Sequence, residues 1–171
     1  MEIIMNRSKQ LIISCITLLR IIGIPFIFMI SNKYILFVYA SILFITDFID
    51  GQLARKWDLC STKGALLDLI ADKLLVLVLF LSASINHQLP YWVFFLIAFR
   101  EIVSMIMRQI KLSKANKLIK ANMIGKSKTA LQFIALGMMI LQLPYYMVVV
   151  YIMLIVSYIS FIMYCKEFFK K

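Results

Sequence analysis

The sequence predicts an all-α fold: an integral membrane bundle of six transmembrane helices, with both termini on the cytoplasmic side. Three observations predict it. Of 171 residues, 63% are hydrophobic and only 16% are charged, with a mean hydropathy of +0.93. A soluble domain is about half apolar and a quarter charged. The apolar residues fall into six runs of roughly 20, the length a helix needs to cross a bilayer. Finally, the basic residues sort to one side of those runs, which orients the bundle.

In chain order, residues 1–10 are short and polar and read as an interfacial segment. Residues 11–31 form the first span, interrupted only by Arg20 and Pro25, and lead on without a small-residue cleavage site. The first run is therefore read as a retained anchor and not as a removed signal. After the turn at Ser31-Asn32-Lys33, the second span covers roughly 34–54 and the third 64–85, joined by a short polar link from Arg55 to Lys63. The stretch Ile85 to Pro90 ends the third span, and the fourth runs from Tyr91 to about Ile110. Residues 111–128 are the one long polar stretch; Lys111, Lys114, Lys117 and Lys120 read as a solvated helical face. The fifth span covers roughly 124–143 and the sixth 145–164, with Pro144 between them. No repeat and no alternation of the β type competes with this reading. The whole chain, 1–171, reads as a single domain.

Six spans put both termini on one side. That side collects Arg7 and Lys9, then Arg55, Lys56 and Lys63, the seven basic residues from Arg108 to Lys128, and Lys166, Lys170 and Lys171. The other side has only Lys33, while Arg20, Lys73 and Arg100 fall inside spans. The positive-inside rule makes the crowded side cytoplasmic. The net charge of +11 therefore points to anionic headgroups and phosphorylated substrates, and not to nucleic acid. Cys15, Cys60 and Cys165 are scattered and read as free thiols. His87 reads as a surface residue and the 11 Met as span packing. Tyr91, Trp92, Tyr145 and Tyr146 fit an interfacial aromatic belt.

Four acids break this apolar background. Asp47 and Asp50 are three apart, and Asp68 and Asp72 four apart, so each pair shares a helix face. Gly64 lies one turn before Asp68. A carboxylate inside a span costs a few kcal/mol unless it is paired or wet. The short link makes spans two and three antiparallel neighbours, and counting from it places the two acid pairs at similar depth. Four converging carboxylates need cations, and hard divalent ions such as Mg²⁺ or Mn²⁺, two of them, answer the charge. Paired metals of this kind commonly handle phosphates. Gly51, Ala54 and Gly64 keep the helix faces open, and Arg55 and Lys63 stand near the entrance to bind acidic groups. The competing reading is a helix interface of small residues with salt-bridged acids, partnered by Lys73, Arg20 or Arg100.

The spacing D-x2-D-G-x2-A-R-x8-G-x3-D-x3-D resembles the signature of the CDP-alcohol phosphatidyltransferases. It is filled at Asp47, Asp50, Gly51, Ala54, Arg55, Gly64, Asp68 and Asp72. The segment with Thr17, Arg20 and Pro25 is similar to the branch of that family that makes phosphatidylglycerophosphate. So are Arg100 to Val103 with Arg108, and Gly125, Lys126, Lys128, Thr129 and Gln132. Ile13-Ser14 and Ile106-Met107 depart from that branch's usual residues.

The resemblance implies transfer of a phosphatidyl group from CDP-diacylglycerol to an alcohol, with release of CMP. It implies that Asp47, Asp50 and Asp68 bind the metals, that Asp72 shares one, and that Asp72 is the general base. Gly51, Ala54, Arg55, Lys63 and Gly64 would hold the CDP-diacylglycerol. The cations Arg100, Arg108, Lys126 and Lys128 lie near the cytoplasmic end and suit an acceptor that carries a phosphate, such as glycerol 3-phosphate. Arg100 has a second reading as a structural partner of Glu101 or another acid, and Lys126 and Lys128 as ordinary cytoplasmic charge. Inositol phosphate, serine or phosphatidylglycerol are the other acceptors, and a non-catalytic metal-binding or transport protein is the reading from another class. The resemblance also implies a homodimer embedded among membrane lipids.

Overall fold

A computed structural model describes residues 17–56, 62–115 and 123–169. Within its helices, the side chains of 47–56, 62–69, 108, 111–115, 123–128, 167 and 169 are outside the described set. Among the described residues there are six helices and no strand. They are α1 (Thr17–Met29), α2 (Lys33–Lys56), α3 (Thr62–Ile85), α4 (Tyr91–Ala115), α5 (Met123–Ile140) and α6 (Tyr146–Phe169). Lys117, Lys120 and the segment 1–10 lie outside the described residues. The chain divides into two compact units, Met1–Ser82 and Ala83–Lys171.

In the first unit, α1 narrows to a 3₁₀ helix over Ile24–Met29, with Pro25 near its start. Proline has no N–H and fixes its φ, so it is tolerated in the first turn of a helix and disrupts the interior. The run expected as one span thus changes from α to 3₁₀ geometry at Ile24, beside Pro25. α1 packs against α2 at Gly23: the Tyr39 hydroxyl donates to the Gly23 carbonyl at 2.8 Å. A Cβ at Gly23 would come 3.0 Å from that hydroxyl and 3.5 Å from Leu43, so glycine permits the approach. Ile24, Ile27, Ala40 and Leu43 are buried there. Asn32 caps α2, its Oδ1 accepting from the Tyr34 and Ile35 amides at 2.9 and 3.3 Å. On α3, Ala71, Leu75, Val76, Leu79 and Phe80 are buried, the stripe that a 3.6-residue period produces.

The second unit holds the last turn of α3 and then α4, α5 and α6. The α5–α6 hairpin is antiparallel, and α4 runs parallel to α6. Trp92 stacks on Tyr151 with ring centroids 6.1 Å apart, the Tyr158 hydroxyl donates to the Leu96 carbonyl at 3.1 Å, and the sulfurs of Cys165 and Met107 lie 4.0 Å apart. Tyr146 ties the start of α6 to the α3–α4 turn, donating to the Gln88 carbonyl at 3.0 Å. The buried face contains Val93 and Ile97 of α4, Ala135, Leu136 and Met139 of α5, and Val150 and Met153 of α6. The opposite face of α4 exposes Trp92, Phe95, Phe99, Ile102 and Ile106.

α6 is the one described helix long and apolar enough to cross a membrane by length and composition. Only 17% of its apolar window is buried, whereas a core helix of a soluble protein would be mostly covered. Exposed apolar faces of this extent mark contact with lipid or with other proteins.

Both α3 and α5 end in a Schellman motif. Gln88 N–H donates to the Ala83 carbonyl and His87 N–H to that of Ser84. Leu143 N–H donates to Met138 and Gln142 N–H to Met139 in the same pattern. The left-handed residues are His87 (φ 58°) and Gln142 (φ 55°), and neither is glycine. Gln142 is exposed, so glycine there would lose no packing. Gln142→Gly is expected to stabilise the fold by about 1 kcal/mol, the cost of holding a side chain in the left-handed region. Thermal unfolding in detergent checks this; an unchanged or lower midpoint would refute it.

Candidate active site

The two acid pairs sit on α2 and α3 of the first unit. Asp50 is six residues from Lys56, the last residue of α2, and Asp68 is six from Thr62, the first of α3. At a rise of ~1.5 Å per residue, each is about 9 Å from its helix end. Asp47 and Asp72 are nine and ten residues in, or about 14–15 Å. The backbone thus gives the two pairs matching register from the five-residue link. Gly51, Ala54 and Arg55 lie between the α2 acids and the link, and Lys63 and Gly64 between the link and the α3 acids. Of these nine positions only the Asp72 side chain is described.

Asp72 is partly exposed, and its Oδ2 lies 3.2 Å from Lys73 Nζ. Lys73 was one of the three partners that the sequence offered for the acids. Both side chains belong to consecutive residues, so this pair does not tie α3 to another helix. Arg20, the second offered partner, is fully buried on α1 at 2% exposure and is held by interactions of its own.

Arg100, the third, lies in the second unit and is buried. Its Nη1 donates to Glu101 Oε1 at 3.0 Å, and its Nε donates to the Ser157 carbonyl of α6 at 3.2 Å. The pairing of Arg100 with Glu101, the second of its two readings from sequence, is thus present. Arg108 lies eight residues further along α4, and Lys126 and Lys128 lie in the first turns of α5. Since α4 runs parallel and α5 antiparallel to α6, these three positions share one end of the second unit. Arg100 is about 12 Å deeper along α4 than Arg108.

Sequence reasoning overlooked Ser157, whose carbonyl receives Arg100. A single hydroxyl within an apolar run is a weak signal, and its backbone contact leaves no trace in residue type. It also gave Gln132 no role, although that side chain is buried at 3% exposure. Among the described residues no three metal-ligating side chains cluster; Asp47, Asp50 and Asp68 have no described side chains.

The family model of the CDP-alcohol phosphatidyltransferases matches residues 11–162. A Haemophilus influenzae protein named CDP-diacylglycerol–glycerol-3-phosphate 3-phosphatidyltransferase is 33% identical over 167 residues, covering 88% of this chain and 89% of the relative. A protein of the same name from Wigglesworthia glossinidia brevipalpis is 30% identical over 170 residues, covering 88% and 91%. A third with that name, from Bacillus subtilis, is 37% identical over 115 residues, covering 67% of this chain and 58% of the relative. The family match covers α1 to α5 and most of α6, including both acid-bearing helices, and the first two relatives are covered over about nine tenths of their length: the chain belongs to the CDP-alcohol phosphatidyltransferase family.

Proposed function

We propose that this protein transfers the phosphatidyl group of CDP-diacylglycerol to glycerol 3-phosphate, releasing CMP and forming phosphatidylglycerophosphate in phospholipid biosynthesis. The observation that carries the reading is the complete eight-position signature on α2 and α3, with its acid pairs at equal register. The names of the two relatives that match 88% of the chain support the acceptor.

The chemistry is a displacement at phosphorus. The acceptor hydroxyl oxygen forms a bond to the phosphorus that bears the diacylglycerol. The bond from that phosphorus to the CMP oxygen breaks, and CMP leaves with the electron pair. Asp72 takes the hydroxyl proton. Gly51, Ala54 and Gly64 leave room for the nucleotide against the helix backbones, and Arg55 and Lys63 balance its phosphates. Four carboxylates at matching register would supply a hard oxygen donor set, which suits divalent cations. Asp47, Asp50 and Asp68 would hold two Mg²⁺ or Mn²⁺ ions, with Asp72 sharing one. Such ions supply charge neutralisation of the pyrophosphate when bound. Arg108, Lys126 and Lys128 hold the phosphate of the acceptor, and Arg100 serves the same half of the reaction in the way argued below.

The lipid tails stay in the bilayer while the headgroup reacts, so the enzyme is a multi-pass protein of the cytoplasmic membrane. Six spans, cytoplasmic termini and an active site facing the cytoplasm follow from the basic-residue count. The continuous family match supports a single domain, and two copies form a homodimer.

The test is an assay of purified protein in lipid nanodiscs with CDP-diacylglycerol, Mg²⁺ or Mn²⁺, and a panel of acceptors. CMP release with glycerol 3-phosphate and not with inositol phosphate, serine or phosphatidylglycerol is the expected result. A chelator is expected to abolish the reaction, and added Mg²⁺ or Mn²⁺ to restore it. CMP release that persists in excess chelator would overturn the metal assignment. No product with glycerol 3-phosphate would overturn the acceptor.

A further inference from the structure

The Arg100–Glu101 pair is the most buried charged contact described in the second unit. The Arg100 side chain is 8% exposed and that of Glu101 2%. Beside the pair is a cavity of about 10 Å³, reached also by Ser157. That is room for about one water, and not for a phosphate ester. Arg100 spends one N–H on Glu101 of its own helix and another on the Ser157 carbonyl of α6. The Ser104 hydroxyl also donates to the Arg100 carbonyl at 2.6 Å. A guanidinium is planar and its donors diverge in fixed directions. Holding two acceptors on different helices therefore fixes the rotation of α4 against α6. Glu101 makes this tolerable by cancelling the charge, because a buried unpaired cation is strongly destabilising.

We propose that Arg100 and Glu101 are positioning residues for the acceptor half of the reaction, locking α4 to α6 at the Ser157 carbonyl and so placing Arg108. The inference rests on the reading above, in which Arg108 holds the phosphate of glycerol 3-phosphate. It assigns Arg100 a mechanical part in that site: no phosphate touches it. Arg108 is on the same rigid helix, two turns nearer the end that carries Lys126 and Lys128. A change in α4 rotation moves position 108 relative to the end of α5 that carries Lys126 and Lys128, while leaving α2 and α3 unaltered in sequence.

Glu101→Gln separates this role from direct binding. If Arg100 were a phosphate ligand restrained by Glu101, neutralising Glu101 would leave the KM for glycerol 3-phosphate unchanged or lower it. The lock predicts a KM for glycerol 3-phosphate raised about fivefold or more, with the KM for CDP-diacylglycerol within about twofold. Glu101→Asp keeps the charge and is expected to recover most of the loss. The double variant Arg100→Met, Glu101→Met removes both charges and keeps the volume, so it is a second route if Glu101→Gln fails to fold. Its unfolding midpoint is expected to lie above that of either single variant. Its glycerol 3-phosphate KM is expected to match that of Glu101→Gln, or to be raised at least about fivefold over wild type if that variant cannot be measured. A folded Glu101→Gln with unchanged or lower KM for glycerol 3-phosphate overturns the proposal. So does a double variant less stable than both singles. The stability comparison needs no turnover: if wild type releases no CMP with glycerol 3-phosphate, the reading of function has failed, while the lock still stands or falls on the unfolding midpoints.

Discussion

Asp72→Asn is expected to slow CMP release from CDP-diacylglycerol by about 10²–10⁴-fold, the usual contribution of a positioned general base. That is roughly 3–5 kcal/mol of barrier at 1.36 kcal/mol per tenfold. Asparagine matches the shape of aspartate and keeps one oxygen, but it cannot accept the proton of the attacking hydroxyl. The KM for CDP-diacylglycerol should change much less than kcat, because Asp47, Asp50 and Asp68 are intact. Lys73 provides the control. Its ammonium lies 3.2 Å from Asp72, so an Asp72 that served only to pair with Lys73 would make Lys73→Met as damaging as Asp72→Asn. The expected result is that Lys73→Met stays within about tenfold of wild type, since a partly exposed pair contributes little. Asp72→Asn turning over as fast as wild type would remove the base assignment.

Arg108→Ala is the second large effect. The KM for glycerol 3-phosphate is expected to rise about 10–100-fold, the loss of a charged hydrogen bond worth roughly 1.5–3 kcal/mol. The KM for CDP-diacylglycerol should move less than about twofold. Arg108→Lys keeps the charge and loses the two-pronged donor geometry, so an intermediate KM is expected. Equal effects on both substrates would show that Arg108 supports the fold and not an acceptor site. Together the two variants are expected to divide the reaction, one lowering kcat and the other raising the KM of one substrate.

The fold was legible because long apolar helices carry their evidence in composition. Runs of roughly 20 apolar residues located all six helices, and Asn32, the segment 86–90 and Pro144 marked turns that the structure has. The ends were less legible. The apolar run of α4 ends near Ile110, yet the helix continues to Ala115 through Lys111 and Lys114, as the reading of those lysines as a helical face expects, because lysine is a good helix former and a polar face does not end a helix. Conversely, Pro25 lies in a run that reads as one span, yet the helix narrows there because the proline ring constrains the backbone. Gln142 and Tyr145 adopt left-handed backbone conformations that their side chains do not announce.

The candidate site divides in the same way. Asp47, Asp50, Asp68 and Asp72 could be picked out because charge is expensive within long apolar runs, so each acid there demands a reason, and their spacing is a property of one chain direction. Arg100 carried two readings because residue type cannot say which acceptor a guanidinium meets. The structure adds that its Nη1 reaches the adjacent Glu101 and that its Nε reaches a backbone carbonyl 57 residues away. By itself the sequence determined the helical class, the six segments and the positions of the acids, since hydrophobic length and the cost of buried charge act locally along the chain. Only the tertiary structure decided what Arg100 holds and how α4 is set against α6, because that depends on which groups from distant segments come within about 3 Å of one another.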